Sequence, residues 1–231
     1  MKLLNSVIFS LALLLVAGCS STRQFKDNTW TNKPSNMKAV FTKPVIVQDS
    51  TESYELGSLW GFFKSEKDTA VVTDEMTSIS AWFQKNLDNT FKFNLGVHYS
   101  IDEVSKEQIS SVAEKMDGDD VNIPKLSSMS DSFEVYLVMD DIRLYKSQSY
   151  SQMSSVPMAS VAGPAAPMYK SGEKVKVSAN YAFYDAKSGK MLAFGFVEKD
   201  HFAEKRALEH DWVDVVRDMA LQIIDQTPVG Q

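Results

Sequence analysis

The stretch Phe133 to Tyr145 constrains the fold more than any other part of the chain. Phe133, Val135, Leu137 and Met139 alternate onto one face, while Tyr136 and Val138 line the other. A strand with two apolar faces needs a covering layer on each side. After Asp140-Asp141 the apolar phase moves to Ile142 and Leu144, and such a shift predicts a bulge or bend. Residues 173–185 and 190–199 form a further pair, with Val175, Val177, Ala179, Tyr181 and Phe183 in clean alternation. Asp185-Ala186-Lys187-Ser188-Gly189-Lys190 joins them as a turn in which Gly189 is available for positive φ.

The remaining elements follow from period and punctuation. A helix is predicted from about Asp74 to Asn89, with Thr73 as cap and Met76, Ile79, Phe83, Leu87 and Phe91 as its apolar stripe. Phe91 to Tyr99 then alternates as a strand. Ser100 and Glu103 have capping-box spacing, which predicts a thin amphipathic helix over Ile101 to Met116, ended by Asp117-Gly118-Asp119-Asp120. Val45-Ile46-Val47, after Pro44, reads as a first strand buried on both faces. A closing helix is expected from about Ala203 to Gln226, carrying Leu208, Trp212, Val215, Met219 and Ile223 and stopped by Pro228. The predicted order is β-α-β-α-β-β-β-α. That is a single α+β domain over 44–231, a mixed or antiparallel sheet covered by two main helices.

The N-terminus carries an address. Lys2 is followed by the apolar run Val7–Val16 and the small residues Ala17 and Gly18, the layout of a secretory signal peptide. Val16-Ala17-Gly18-Cys19 resembles a bacterial lipobox, which implies cleavage before Cys19 and acylation of its sulfur. Cys19 is the only cysteine among 231 residues, so no internal disulfide competes for it. Ser20, rather than Asp, fits the outer-membrane address by resemblance to enterobacterial sorting. The bilayer, reached through acylated Cys19, is therefore the first expected partner, with the domain on the outer membrane facing the periplasm.

Removing 1–18, which hold one lysine and no acid, takes the net charge from −6 to −7. An acidic chain is a poor match for nucleic acid or for electrostatic docking on anionic lipid, so acyl chains would do the anchoring. Residues 20–43, polar and aperiodic around Pro34, read as a flexible tether whose ends lie roughly 25–30 Å apart. Within it, Trp30 and Phe41 either dock onto the domain or the bilayer surface or stay free. Two further segments are candidate contact surfaces. Tyr54, Trp60, Phe62 and Phe63 crowd an aromatic loop around Gly57 and Gly61, either a flap over the core or a patch for a partner. Ser147 to Tyr169 contains no charged residue and holds Pro157, Pro164 and Pro167; connections this long are disordered or functional.

Catalytic and metal signatures are missing from the sequence. Gly57-Ser58-Leu59-Trp60-Gly61 misplaces the serine of a nucleophile elbow, and there is no P-loop, H-E-x-x-H or C-x-x-C. The histidines are His98, His201 and His210. The last two stand nine residues apart near one helix and cannot share a metal from it without a bend. Asp140 and Asp141 are strand neighbours that point to opposite faces, a poor acid/base couple. Asp117-Gly118-Asp119-Asp120 with Asn122 lacks the spacing and closing glutamate of a calcium loop. No cofactor or metal is expected.

Tyr181 to Leu192, a strand, then Asp-x-x-Ser-Gly-Lys, then an apolar strand before a terminal helix, resembles envelope lipoproteins similar in fold to the N-terminal domain of TolB. That group includes the curli-secretion lipoprotein and the lipoprotein activators of penicillin-binding proteins. The resemblance implies a non-enzymatic accessory or assembly factor that binds other envelope proteins in secretion, transport or wall synthesis. Two other readings stay open: a secretion-pore subunit whose insert enters the membrane, and a hydrolase pairing Asp140 or Asp141 with a histidine.

Overall fold

The computed structural model describes residues 23–48, 74–116, 119–152, 169–204, 207–225 and 227–230. Strands β1 (Arg23–Lys26), β2 (Asn36–Thr42) and β3 (Val45–Gln48) precede helix α1 (Asp74–Asn94). Strands β4 (His98–Val104), β5 (Ile109–Met116), β6 (Asp119–Leu126), β7 (Val135–Gln152), β8 (Tyr169–Asp185) and β9 (Met191–Ala203) follow, then helix α2 (Glu209–Ile224). Seven strands form one mixed sheet in the order β1-β9-β8-β7-β2-β4, with β3 also on β7. Strand β2 runs parallel to β7 and β4, β3 runs parallel to β7, and the β7–β8–β9–β1 side is antiparallel. The α+β class holds; the predicted order of elements does not.

Each face of the sheet has its own apolar layer. Toward the helices point Met37, Ala39 and Phe41 of β2, Val135, Leu137 and Met139 of β7, and Val175, Val177 and Ala179 of β8. They meet Phe83, Leu87 and Phe91 of α1 and Trp212, Val215, Met219 and Ile223 of α2. On the opposite face Val40, Tyr136, Val138, Ala182, Tyr184 and Phe194 pack under the β5–β6 hairpin through Ile109, Val121, Ile123 and Leu126. The two-faced pattern read from β7 is therefore real, except that Phe133 precedes the strand and packs with the hairpin-side cluster.

The predicted register shift is a bulge. Asp140 pairs with Asn180 and Arg143 with Ser178, so Asp141 and Ile142 together stand opposite Ala179. Asp141 takes a positive φ of 52°, a region that aspartate tolerates better than most residues. Arg143 returns to its carboxylate at 2.8 Å. At the other end of β8, Gly189 has φ 67° as expected. Its N–H donates to the Asp185 carbonyl, while the Ser188 N–H and hydroxyl donate to the Asp185 carboxylate.

Six expectations are corrected. The tether over 20–43 is structural from Arg23 onward: β1 and β2 lie in the sheet, Phe41 is fully buried against Phe83, and Trp30 sits 5.2 Å from the Phe183 ring. Met37, Ala39, Val40 and Phe41 supply enough apolar surface for a strand buried on both faces, although polar neighbours dilute the segment's average. Val45 is accordingly not in a first, fully buried strand; it is 56% exposed at the start of the third. The helix over 101–116 is instead the end of β4, one 3-10 turn (Lys106–Gln108) and β5. Its capping box lies later than predicted, with the Ser105 N–H donating to Gln108 Oε1 at 3.0 Å, and Asp117 and Gly118 lie outside the described residues.

Phe91 continues the i, i+4 stripe from Leu87, so α1 absorbs the first half of the predicted strand and runs to Asn94. Phe93 is then 73% exposed, with Lys92 over its ring. Finally, Ala203 ends β9 and α2 begins at Glu209; Leu208 is its exposed N-cap residue instead of part of the stripe. The uncharged insert also shrinks, because β7 reaches Gln152 and β8 starts at Tyr169. Residues 153–168 lie outside the described residues.

Phe41→Ala should destabilise the domain by about 3–5 kcal/mol, the range for deleting a buried aromatic ring, in denaturant unfolding. Phe93→Ala should stay within about 0.5 kcal/mol. A stable, fully folded Phe41→Ala protein would return residues 23–43 to the status of a tether.

Candidate functional site

Cys19 and the aromatic quartet Tyr54, Trp60, Phe62 and Phe63 lie outside the described residues. The acid/histidine couple required by the hydrolase reading is not formed. Buried Asp140 accepts from the Thr42 hydroxyl at 2.9 Å and from Lys106, and Asp141 is held by Arg143. His98 starts β4 on the far side of the sheet, and its backbone N–H donates to the Ser35 carbonyl.

A different carboxylate gathers the histidines. Asp211, in the first turn of α2, is 3% exposed. Its Oδ2 accepts the Leu208 backbone N–H at 2.7 Å, closing the helix start. Its Oδ1 lies 3.0 Å from His201 Nε2 and 3.5 Å from His210 Nε2. The two histidines meet because His201 belongs to β9 and only His210 to α2, a geometry that reading both near one helix could not give. The negative charge at a helix N-terminus is favoured by the dipole and by the unpaired amides there. Both imidazoles point at one oxygen, and among the described residues no group of three ligands is disposed to hold a metal. Nor is a hydroxyl or thiol among the described residues hydrogen-bonded to either ring, so a nucleophilic triad is not assembled. The sequence signal for Asp211 was its position three residues after Leu208; starting the helix at Ala203 hid it.

The second cluster is at the turn end of the sheet. Here a groove of about 510 Å³ has Trp30, Phe133 and Leu192 as apolar lining, with Glu134, Asp185 and Lys33 at its rim. Glu134 and Asp185 are held ionised. The Ser35 N–H and hydroxyl donate to Glu134 at 2.9 and 2.6 Å, placing its pKa below the usual range. Ser188 does the same for Asp185. Beside the groove, Asp27 receives Lys190 at 2.6 Å and both the hydroxyl and N–H of Thr29, and its carboxyl is held well below the ordinary value. Burial pushes the Tyr184 hydroxyl up to about 12, and that hydroxyl donates to the Pro124 carbonyl. The groove combines an aromatic floor with an ionised, already hydrogen-bonded rim. Glu134 and Asp185 are committed to hydrogen bonds within the fold, which makes them poor proton-transfer groups.

No family model matches the chain, and no curated protein matches it. Among solved structures, it is similar to a neuraminyllactose-binding hemagglutinin homologue from Helicobacter pylori at 11% identity and TM-score 0.34, covering 84% of this chain and 82% of that one. It is also similar to a PelC variant dodecamer from Paraburkholderia phytofirmans at 10% identity and TM-score 0.34, covering 91% and 97%. At that score neither likeness fixes a shared fold.

Asp211→Ala should cost about 1–2 kcal/mol through the lost cap, read as a lower denaturation midpoint with an unchanged slope. Asp211→Asn, which keeps an acceptor, should recover part of it. Equal stability of all three proteins would remove the capping role. For the turn-end carboxylates, a depressed folded-state pKa means that the ionised form is stabilised by folding. That contribution is complete above the ordinary carboxylate value of about 4 and is lost as pH falls through the lower folded value. Thermal melts should therefore lose stability chiefly below about pH 4, and Asp27→Asn should flatten part of the loss. A mutant profile parallel to wild type would overturn the assignment.

Proposed function

We propose that this chain is a lipid-anchored protein of the bacterial envelope, acylated on Cys19, held on the outer membrane facing the periplasm, and acting by binding other envelope proteins. The observation that carries this reading is the lipobox-like Val16-Ala17-Gly18-Cys19, standing four residues before the first strand at Arg23. Acylation there would tie the sheet itself to the membrane. A net charge of −7 after cleavage gives anionic lipid no electrostatic hold on the domain, so the acyl chains carry the attachment.

Binding is favoured over catalysis by what the acids do: Asp140, Asp211, Glu134 and Asp185 each hold backbone or side-chain donors that the fold needs. The resemblance to TolB-like envelope lipoproteins now rests on the Asp185–Lys190 hairpin and the terminal helix, since the order of earlier elements differs. The contact surfaces assigned to a protein partner are Tyr54, Trp60, Phe62 and Phe63.

Mass spectrometry of the membrane-extracted protein should show acyl chains on Cys19, and Cys19→Ala should move the protein to the soluble fraction. Retention of Cys19→Ala on the membrane, with no acyl mass on the wild type, would overturn the anchor. Crosslinking in cells should recover a defined envelope partner that Trp60→Ala with Phe62→Ala loses without a change in melting temperature; undiminished recovery would remove that surface.

A further inference from the structure

The groove at the turn end of the sheet holds a hydrogen-bond donor without a partner. Trp30 is 7% exposed, with its backbone N–H on the Asp27 carbonyl and its ring 5.2 Å from that of Phe183. What remains accessible of it lines the groove. The indole N–H donates to no acceptor among the described residues, yet it is not sealed in the core. A buried indole N–H ordinarily finds an acceptor, because leaving it unmet forfeits its hydrogen bond to water. An acceptor arriving through the groove supplies the missing bond.

The walls around Trp30 are fixed before any ligand comes. Glu134 joins three connections: its N–H donates to Asn36 Oδ1 at 2.7 Å, its carbonyl accepts the Ala186 N–H at 2.9 Å, and its carboxylate takes both Ser35 donors. Asp185, where β8 turns toward β9, is held by Ser188 in the same way. A carboxylate has about four lone-pair directions, so these bonds leave both acids able to accept more. The two acids also act on each other: the Ser35 donors lower the Glu134 pKa, and the Asp185 charge opposes them. A cation at the rim relieves that repulsion.

Asp131 adds a third acid to the lining, against Lys33 and Lys187. Which charges are held in place decides the sign of the ligand. Lys33 and Lys187 are exposed, on flexible stems that can swing into solvent, whereas Glu134 and Asp185 are pinned by hydrogen bonds. A cationic group meets preorganised partners; an anionic one would first have to order two lysines while facing three carboxylates. A guanidinium suits the pair best, because its planar fork can take two carboxylates at once. A bare cation would leave the Trp30 N–H unanswered, whereas an arginine within a peptide brings backbone carbonyls beside its charge.

We propose that the groove is a receptor for an arginine in an extended segment of a partner protein, with Glu134 and Asp185 taking the guanidinium and the Trp30 N–H donating to a backbone carbonyl beside it. This rests on the protein-binding reading and adds a contact independent of Tyr54, Trp60, Phe62 and Phe63. The test is NMR of the full chain in detergent, with nitrogen-labelled tryptophan, titrated with N-acetylarginine N-methylamide. N-acetylglutamine N-methylamide is the uncharged control. The Trp30→Phe protein identifies the Trp30 signal among those of the four tryptophans.

The expected result is a downfield shift of the Trp30 indole signal with the arginine compound and little movement with the glutamine one. Asp131 and Lys187 are exposed, and their side chains make no hydrogen bond among the described residues, so both can be changed without disturbing the fold. Asp131→Asn should weaken the arginine compound about two- to fivefold and Lys187→Glu should tighten it by a similar factor, the scale of exposed charge pairs. A Trp30 signal that stays still, or moves equally with the glutamine compound, overturns the site. If crosslinking in cells still recovers a partner in that case, protein binding stands and only the groove falls. If the signal shifts while crosslinking recovers no partner, the arginine site stands and the protein-binding reading falls.

Discussion

The bulge in β7 at Asp140–Arg143 is the constraint on which the rest of the sheet depends. Strand β7 borders β8 along its whole length and β2 and β3 along its other edge, and it must keep its apolar side toward the helices throughout. A regular pleat would carry the phase of Val135, Leu137 and Met139 on to Asp141, Arg143 and Tyr145. The extra residue resets it, so that Ile142 and Leu144 return to the helix side with Val177 opposite Leu144. The partner edge breaks at the same level. Strand β2 ends at Thr42 and β3 resumes at Val45, and the gap is Lys43-Pro44, where proline's missing N–H leaves no ladder position unfilled. Asp140, buried at that junction, would be costly alone. Thr42 from the broken edge and Lys106 from the 3-10 turn satisfy it, so one carboxylate ties three elements together.

The opposite face follows from what covers it. Beneath the β5–β6 hairpin the sheet is apolar: Tyr136, Val138, Ala182, Tyr184 and Phe194. Beyond the hairpin's reach the same face of β8 and β9 changes to cross-strand ion pairs, Lys176 with Glu198 and Lys174 with Asp200, and Lys176 also lies 4.9 Å from the Tyr145 ring centre. Alternation along β8 is thus continuous on the helix side and changes in chemistry on the other, where solvent replaces the hairpin. Exposed pairs of this kind add little stability individually, but they keep the uncovered face from being an apolar patch.

Long, periodic elements were legible because burial writes itself into them. Strand β8, the Asp185–Lys190 turn, the bulge, and the stripes of α1 and α2 all follow from spacing alone. The failures share one physical cause: local signals too short to compete with their surroundings. Strand β2 has four apolar residues, Met37, Ala39, Val40 and Phe41, among polar neighbours, and its pairing partners Val135–Met139 and His98–Val104 lie far along the chain. The β5–β6 hairpin buries Ile109, Val121, Ile123 and Leu126, and only Ile109 of these lies within 101–116, so that segment read alone shows no more than a thin stripe. Asp211 was hidden for a related reason, because its role depends on where α2 starts, and that boundary is set by the end of β9. The turn-end groove needed Trp30 and Phe133 brought together by tertiary pairing, which no local pattern announces.

The placement of β1 has a mechanical consequence. Without it, β9 would be an open edge from Ala193 to Phe196, the kind of edge that recruits other strands. Strand β1 closes it with four residues, approaching so closely that a side chain at Gly195 would collide with the Arg23 carbonyl; glycine there is a requirement of the contact. Side chains reinforce the short ladder: Gln24 donates to the Gln222 carbonyl and accepts from the Gln222 amide of α2, and Asp27 is clasped by Lys190 from the far hairpin. A load applied just before Arg23 and directed along the strand, toward Ala203, strains all four rungs and both side-chain links together; the same load directed away from the sheet opens them one at a time. Loading along the strand axis is therefore the geometry in which so short an edge strand resists best, and a chain that leaves Arg23 along the line of β1 supplies it.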